Sequence, residues 1–165
     1  MRRTGFMLAA MLTALLMVSG VALAKEILCT PKNDRITGTE RGDVISARGG
    51  NDTVVGRGGN DEIYGQPGGD SISGSDGDDD LYGGSGVDDL RDGPGQDDVY
   101  GGDGADELTG VDVVDELSGG NNNDTIDALG GGRDSINCGL GSDDRVIADE
   151  VDGVNINDCE RIAQK

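Results

Sequence analysis

A period of nine residues governs most of this chain. From Gly56 to Thr109 the sequence divides into the rows GRGGNDEIY, GQPGGDSIS, GSDGDDDLY, GGSGVDDLR, DGPGQDDVY and GGDGADELT. In every row the sixth residue is aspartate and the eighth is aliphatic, while glycine and small polar residues dominate the first five positions. A fixed period of this kind indicates a repeat architecture in which each unit packs against its neighbours.

The aspartate and aliphatic positions continue on both sides of these rows. An aliphatic residue stands two positions after each aspartate of the series, whose members are Asp34, Asp43, Asp52, Asp61, Asp70, Asp79, Asp88, Asp97, Asp106, Asp115 and Asp124. The spacing slips by one at Asp134, and the register decays from Cys138 onward. Because the last units of a repeat array are expected to be atypical, we expect repeats over residues 25–136 and a C-terminal cap over residues 137–165.

Each nine-residue unit is suited to one short strand and one turn. Three residues such as Glu62-Ile63-Tyr64 fit a very short strand with one side chain pointing inward, and Gly56 to Asp61 are turn residues. The density of glycine excludes helices. Two units then make one circuit of 18 residues. The predicted fold is all-β, a parallel two-sheet β-solenoid (β-roll) with alternate aspartates aligned on two edges.

The composition leaves this fold short of stabilising interactions. The chain has 33 acidic and 13 basic residues, a formal net charge of −20, and neither tryptophan nor histidine. A double file of aliphatic side chains is a thin interior, and the stacked carboxylates repel one another. We therefore expect cations between the turns. The negative charge also argues against nucleic-acid binding, which depends on basic patches.

The rows resemble the hemolysin-type calcium-binding repeat of RTX proteins, whose consensus is G-G-x-G-x-D-x-U-x. Gly83-Gly84-Ser85-Gly86-Val87-Asp88 and Gly101-Gly102-Asp103-Gly104-Ala105-Asp106 match its turn fully, and the resemblance covers about Asn33 to Asp134. It implies a parallel β-roll that binds several Ca²⁺ ions. Each ion lies between neighbouring turns on one edge, held by aspartate carboxylates and carbonyls of the glycine-rich turns.

The resemblance also implies a set of ligand-bearing residues. The expected carboxylates are those of Asp43, Asp52, Asp61, Asp70, Asp79, Asp88, Asp97, Asp106 and Asp124. The expected turn glycines are Gly56, Gly59, Gly65, Gly68, Gly74, Gly77, Gly83, Gly86, Gly101 and Gly104.

Some turns depart from the consensus. Turn 92–97 begins with Asp92 instead of glycine, and Arg41 departs from the pattern in turn 38–43. Turn 110–115 contains Val111 and Val113, so we expect a weak or empty site there. In turn 119–124, Asn122 tolerates the left-handed conformation that glycine has elsewhere.

The chemistry of the donors favours calcium independently. Carboxylate and carbonyl oxygens suit the flexible coordination of Ca²⁺, whereas Mg²⁺ requires a tighter octahedron and keeps its waters. Metals that prefer imidazole or clustered thiolates find neither here. The segment Asp76 to Asp80 resembles the start of an EF-hand, but Leu81 occupies the place of the required glycine.

The N-terminus is predicted to be a secretory signal peptide over residues 1–24. Arg2 and Arg3 precede an apolar run from Met7 to Val18, and Ala22-Leu23-Ala24 offers a small-residue cleavage site. A retained membrane anchor and a lipoprotein at Cys29 are less favoured alternatives. Cleavage would remove two positive charges from −20 and leave −22, with no transmembrane span in the secreted, extracellular chain.

Export permits disulfide bonds. Cys138 and Cys159 both follow the regular repeats and are predicted to form a bond that staples the C-terminal end. Cys29 is separated from them by the array, roughly 25 Å at the strand spacing of a β-sheet. It is therefore expected to be unpaired or intermolecular.

The tyrosines form a further pattern. Tyr64, Tyr82 and Tyr100 are 18 residues apart, so they are expected to stack on the outer face of one sheet. Tyrosine favours strands and stacks well, which explains the pattern without a function. The functional alternative is a surface that binds a glycan or a protein partner.

Two classes of function remain. The first is a calcium-binding structural or interaction module whose folding is coupled to the ion. The second is a carbohydrate-active enzyme, which needs two carboxylates in distinct environments beside a cleft. No segment outside the repeats is long enough for a catalytic domain, and a histidine-dependent triad is impossible. The first class is preferred, and the enzyme is not expected.

Overall fold

The structure is a computed structural model that describes residues 25–149, 153–154, 159 and 161–164, so the predicted signal peptide lies outside the described residues. The described part of the chain forms strands and turns without helices. The strands are β1 Glu26–Leu28, β2 Arg35–Thr37, β3 Val44–Ser46, β4 Thr53–Gly58, β5 Glu62–Pro67, β6 Ser71–Asp76, β7 Asp80–Ser85, β8 Asp89–Gly95, β9 Asp98–Asp103, β10 Glu107–Asp112, β11 Glu116–Asn121, β12 Thr125–Ala128, β13 Ser135–Leu140, β14 Arg145–Ala148, β15 Gly153–Val154 and β16 Arg161–Gln164.

The strands form two parallel sheets. One sheet has the order β1-β3-β5-β7-β9-β11-β13-β15, and the other has the order β16-β14-β12-β10-β8-β6-β4-β2. Each strand pairs with the strand two further along the chain, as Ile63 does opposite Leu81 and Leu81 opposite Val99. Within the regular repeats the partners are therefore 18 residues apart. The predicted all-β, two-sheet parallel β-solenoid with an 18-residue circuit is confirmed.

The strands in the middle of the array are longer than the three residues predicted. Nine of the sixteen described strands span six or seven residues, because the first part of each turn also pairs with the turn above and below it. In the β7–β9 pair, Gly84 lies opposite Gly102 and Ser85 opposite Asp103, beyond the tyrosines. Turns of the same sequence have the same backbone shape, so they stack as regularly as the strands do.

The interior is a double file of aliphatic side chains, one from each strand of the array. Residues such as Ile63, Leu81 and Leu90 are 0% exposed, and small residues such as Ala47 fill the corners. The flanking residues on each strand point outward, in the alternation expected of a strand with one buried face. The predicted thin core is present.

The strands of the predicted C-terminal cap continue both sheets in parallel register. Leu117 lies opposite Ile136 and Ile126 opposite Val146, so the circuits lengthen to 19 and 20 residues where the repeat slips. Cys138 and Cys159 form the predicted disulfide bond. At the other end of the array, Cys29 has a free, half-buried thiol that packs against the aliphatic core.

In the consensus turns, the stacking leaves no room for a side chain at the fourth position. A Cβ on Gly86 would lie 1.6 Å from the carbonyl oxygen of Gly68, and one on Gly104 would lie 1.5 Å from that of Gly86. Gly86 also has a φ of +138°, which side chains rarely adopt. Asn122 takes the corresponding place in its turn with a φ of 79°, as its tolerance of the left-handed region predicted.

Replacing Gly86 by alanine should therefore destabilise the fold by more than about 1 kcal/mol, since both the contact and the φ are unfavourable for a Cβ. Val87 is the matched control, because its side chain is 67% exposed and Val87→Ala should change stability by less than about 0.5 kcal/mol. Thermal unfolding followed by circular dichroism measures both. Equal midpoints for the two variants would contradict the stacking argument.

Candidate metal sites

The sixth-position aspartates form a hydrogen-bonded ladder along each edge of the solenoid. The backbone N–H of Asp43 donates to Oδ1 of Asp61 at 2.7 Å, and that of Asp61 donates to Oδ1 of Asp79 at 2.7 Å. The other edge repeats this, with the N–H of Asp70 donating to Oδ1 of Asp88 at 2.7 Å. One oxygen of each carboxylate therefore fixes the spacing of successive circuits.

The second carboxylate oxygen lacks such a partner. Oδ2 is buried without a hydrogen bond in the described aspartates Asp52, Asp61, Asp70, Asp79, Asp88, Asp97, Asp106, Asp115 and Asp124. These residues are 1–2% exposed. A buried carboxylate oxygen without a donor is strongly unfavourable unless a proton or a cation neutralises it. The ladder thus creates a row of positions that favour positive charge.

In the consensus turns, Oδ2 lies beside the backbone of a first-position glycine, which has no side chain to cover it. The point where a Cβ of Gly56 would lie is 2.2 Å from Asp61 Oδ2 and 2.6 Å from the carbonyl oxygen of Gly74 in the next circuit. The same arrangement of glycine, carboxylate and next-circuit carbonyl recurs at Gly65 with Asp70 and Gly83, at Gly83 with Asp88 and Gly101, and at Gly101 with Asp106 and Gly119. Carboxylate and carbonyl oxygens from two circuits therefore converge, and this hard-oxygen donor set fits Ca²⁺.

The predicted residues are consequently grouped by position. The first-position glycines Gly56, Gly65, Gly74, Gly83 and Gly101 border the spaces beside Oδ2 of the aspartates five residues later. The fourth-position glycines Gly59, Gly68, Gly77, Gly86 and Gly104 instead pack against the backbone of the preceding circuit. Asp43 differs from the other predicted ligands, because its Oδ2 accepts the backbone N–H of Thr39 at 2.7 Å.

Burial raises the pKa of the eight ladder carboxyls from Asp61 to Asp124 above their ordinary value of 3.8. Desolvation is the main cause, and it raises the pKa of Asp61 and Asp88 to about 6 and that of Asp97 and Asp124 to about 7. The backbone N–H bond to each carboxylate opposes this rise, and neighbouring carboxylates in the ladder add to it. The charged form of each group is therefore disfavoured where no cation is near.

Turn 110–115 departs from its neighbours as its valines suggested. The positive φ falls on Asp112, at 83°, whereas in turn 101–106 it falls one position earlier, on Gly102. The pairing of β8 with β10 shifts register between Thr109 and Val111. Nevertheless Asp115 is 2% exposed with an unpartnered Oδ2, so its carboxylate occupies the same place as the others. The weak or empty site expected in this turn stays a prediction from the sequence alone, and the place of Asp115 in the ladder favours the opposite.

The ladder also includes a residue that sequence reasoning missed. The backbone N–H of Asp124 donates to Oδ1 of Asp144 at 2.8 Å, although the two are 20 residues apart. The strict nine-residue count breaks before this point. The local pattern Asp144-Arg145-Val146, with an aliphatic residue two positions after aspartate, was the signal that identifies it.

The fold and its edges define a class of protein: a parallel β-roll whose turns present buried, unpartnered carboxylates to spaces between circuits. The family model described as "RTX calcium-binding nonapeptide repeat (4 copies)" matches residues 30–63, 55–90 and 82–112 of this chain. The chain therefore belongs to the RTX calcium-binding repeat family and is a calcium-binding repeat protein. No curated protein has a matching sequence.

The raised pKa values predict an inverted pH dependence for the metal-free protein. Below about pH 4 the carboxyls are neutral in both the folded and the unfolded protein. The stability gained by holding them neutral in the folded state is therefore fully present. It is lost as the pH rises through the folded pKa values of about 6 to about 7, because the unfolded chain has already released its protons.

Protein freed of metal on a chelating resin should therefore show a thermal unfolding transition at pH 4, and at pH 8 a lower midpoint or no transition at all. In millimolar Ca²⁺ the order should reverse, since protons then compete with the ions for the same oxygens. Thermal scans at the two pH values measure this. A metal-free protein that is more stable at pH 8 would contradict the proposed burial of these carboxyls.

Proposed function

We propose that this protein is a secreted calcium-binding β-roll whose folding is coupled to the binding of several Ca²⁺ ions, and that it serves as a structural or interaction module. The observation that carries the proposal is the row of buried Oδ2 atoms without hydrogen-bond partners. The ligands are the carboxylates predicted from the sequence, together with carbonyl oxygens of the first-position turn residues. Each ion lies between two circuits and neutralises carboxylates that nothing else neutralises.

Coupling of binding to folding is supported by charge. Besides the buried ladder, the outer face of the odd-numbered sheet aligns Glu62 with Asp80, Asp80 with Asp98 and Asp98 with Glu116. Like charges placed opposite each other in a sheet are destabilising. A chain of −22 after loss of the leader therefore remains expanded until cations bind, and the binding free energy becomes folding free energy.

A calcium titration followed by far-UV circular dichroism tests the coupling. The spectrum should change from disordered to β as Ca²⁺ rises into the range of about 10⁻⁴–10⁻³ M that is usual for extracellular sites, and EDTA should reverse it. Mg²⁺ at the same concentration should produce a much smaller change. Equal β signal with and without Ca²⁺ would refute the coupling, and an equal response to Mg²⁺ would refute the selectivity.

Two neighbouring residues give a matched test of the ligands. Asp106→Asn removes a buried ladder carboxylate, whereas Glu107→Gln makes the same charge change on an exposed side chain next to it. Asp106→Asn should raise the Ca²⁺ concentration at the folding midpoint roughly threefold to tenfold, a loss of about 1 kcal/mol. Glu107→Gln should leave the midpoint within about twofold. Equal shifts would mean that only net charge matters.

Secretion is proposed from the sequence of residues 1–24 and agrees with the disulfide bond between Cys138 and Cys159. Among the described residues, no helix is long and apolar enough to cross a membrane. Mass spectrometry of the protein recovered outside the cell should give an N-terminus at Lys25. Recovery of the intact leader in a membrane fraction would favour the retained anchor.

The absence of enzyme activity is also part of the proposal. The buried carboxylates repeat in nearly equivalent environments along each edge, whereas a glycosidase needs an acid and a partner carboxylate in different environments. Ordered repetition suits the binding of several similar ions. It does not suit a single reaction centre.

An adhesin that uses the tyrosines is the second candidate. Tyr64 and Tyr82 stack at 4.9 Å between ring centroids, and Tyr82 and Tyr100 at 5.2 Å, with ring planes within 9° and 7°. The predicted stacking is therefore confirmed, and the phenol of Tyr64 donates a hydrogen bond to Glu62. A triple Tyr→Ser variant that keeps its Ca²⁺-dependent β signal but loses binding to cell-surface glycans would favour this candidate. Unchanged binding would reject it.

A further inference from the structure

Asp92 occupies a position that the consensus turn gives to glycine. It is the first residue of turn 92–97, and its side chain is 0% exposed. Oδ1 accepts the backbone N–H of Gly93 at 2.5 Å, while Oδ2 is buried without a hydrogen-bond partner. A carboxylate therefore stands in the space that first-position glycines leave open in the consensus turns.

This carboxylate meets two members of the ladder. Oxygens of Asp92, Asp97 and Asp115 lie within 4.8 Å of one another, and all three residues are buried. Among the described residues no other group of three acidic, histidine or cysteine side chains is as close. The position of a Cβ on Gly110 is 3.2 Å from Asp92 Oδ2, so the carboxylate points toward the next circuit.

The surroundings do not neutralise this cluster. Oδ2 is unpartnered in all three residues. Three charges of one sign, buried together, are stable only with protons or a cation between them.

We propose that Asp92, Asp97 and Asp115 form a distinct three-carboxylate site that binds one hard cation more tightly than the repeated sites do. The physiological cation is Ca²⁺. The inference deepens the proposed function, because the cation joins the same stacked circuits. In the repeated turns the first position supplies only a backbone carbonyl, whereas here it also supplies a carboxylate. The affinity of oxygen-ligand sites for Ca²⁺ rises with the number of charged ligands, and Asp92 adds a carboxylate that the repeated turns lack.

The extra charge should favour trivalent ions most of all. Tb³⁺ has a radius and ligand preference similar to those of Ca²⁺ but one more charge, so it is the probe of choice. Isothermal titration calorimetry of the purified protein with Tb³⁺ should resolve one ion per chain in a class at least about tenfold tighter than the remaining sites. Calcium should displace this ion at higher concentrations than it displaces the others.

Two variants and one control isolate the contribution of Asp92. Asp92→Asn keeps the shape of the side chain, and Asp92→Gly restores the consensus residue, so the second keeps the test valid if the first folds poorly. Both should lose the tight class while keeping the Ca²⁺-induced β signal. Asp88→Asn, in a consensus turn on the other edge, should lose one weaker ion and keep the tight class.

Anomalous scattering locates the ion directly. In crystals grown with one equivalent of Tb³⁺, the strongest peak should lie among the carboxylates of Asp92, Asp97 and Asp115. A strongest peak in a consensus turn would overturn the assignment.

The opposing result is equally specific. If Asp92 fills the space as a protonated acid that hydrogen-bonds to Asp97, both Asp92 variants should bind an additional ion or bind Tb³⁺ more tightly. That outcome, or isotherms identical to wild type, would overturn the inference while leaving calcium-coupled folding intact. A wild-type protein that binds no ion in any class would overturn the inference and the proposed function together.

Discussion

The structure depends on buried aspartate carboxylates in which only one of the two oxygens has a hydrogen-bond donor. Each ladder aspartate uses Oδ1 to accept an N–H from the preceding circuit, and this bond sets the stacking distance on both edges. The same geometry buries Oδ2 without a donor, as in Asp61, Asp70 and Asp88. A group that holds the circuits together therefore also opposes their assembly until its charge is neutralised. The need for cations is built into the ladder.

Glycine makes this arrangement possible at two positions for two different reasons. At the fourth position, Gly86 allows one turn to approach the carbonyl of the turn before it. At the first position, Gly56 leaves room beside Asp61 Oδ2 and the next carbonyl. The first type of glycine sets the backbone and the second keeps a space for the ion. Asp92 replaces glycine at a first position. Its side chain adds a carboxylate beside the ion site and does not cause the backbone clash that a side chain at the fourth position would cause.

Much of the fold is predictable from the period. A nine-residue repeat with one inward aliphatic residue requires two sheets and an 18-residue circuit, and it brings Tyr64, Tyr82 and Tyr100 into one stack. The length of the strands was underestimated, because pairing between turns depends on the backbone shape that identical turns share. Asp144 was missed for a related reason: the slipped spacing hides it from a strict count, while stacking restores its place.

The site is predictable only in part. Position six of the repeat identifies the carboxylates, but not which oxygen is free or which carbonyl faces it. The meeting of Asp92 with Asp97 and Asp115 depends on the direction of a side chain at a turn and on the neighbouring circuit. Neither is contained in the spacing. The two valines of turn 110–115 marked a real change of backbone, yet they did not displace Asp115 from the ladder.

Small-angle X-ray scattering of the purified protein, with and without Ca²⁺, tests the central claim most directly. A chain of this length has a radius of gyration of about 15 Å when compact and about 40 Å when unfolded. If cations neutralise the ladder, the radius of gyration should be about 15 Å in millimolar Ca²⁺ and about 40 Å in EDTA at neutral pH. A compact, equally stacked particle in EDTA at neutral pH would show that the buried carboxylates do not need an ion.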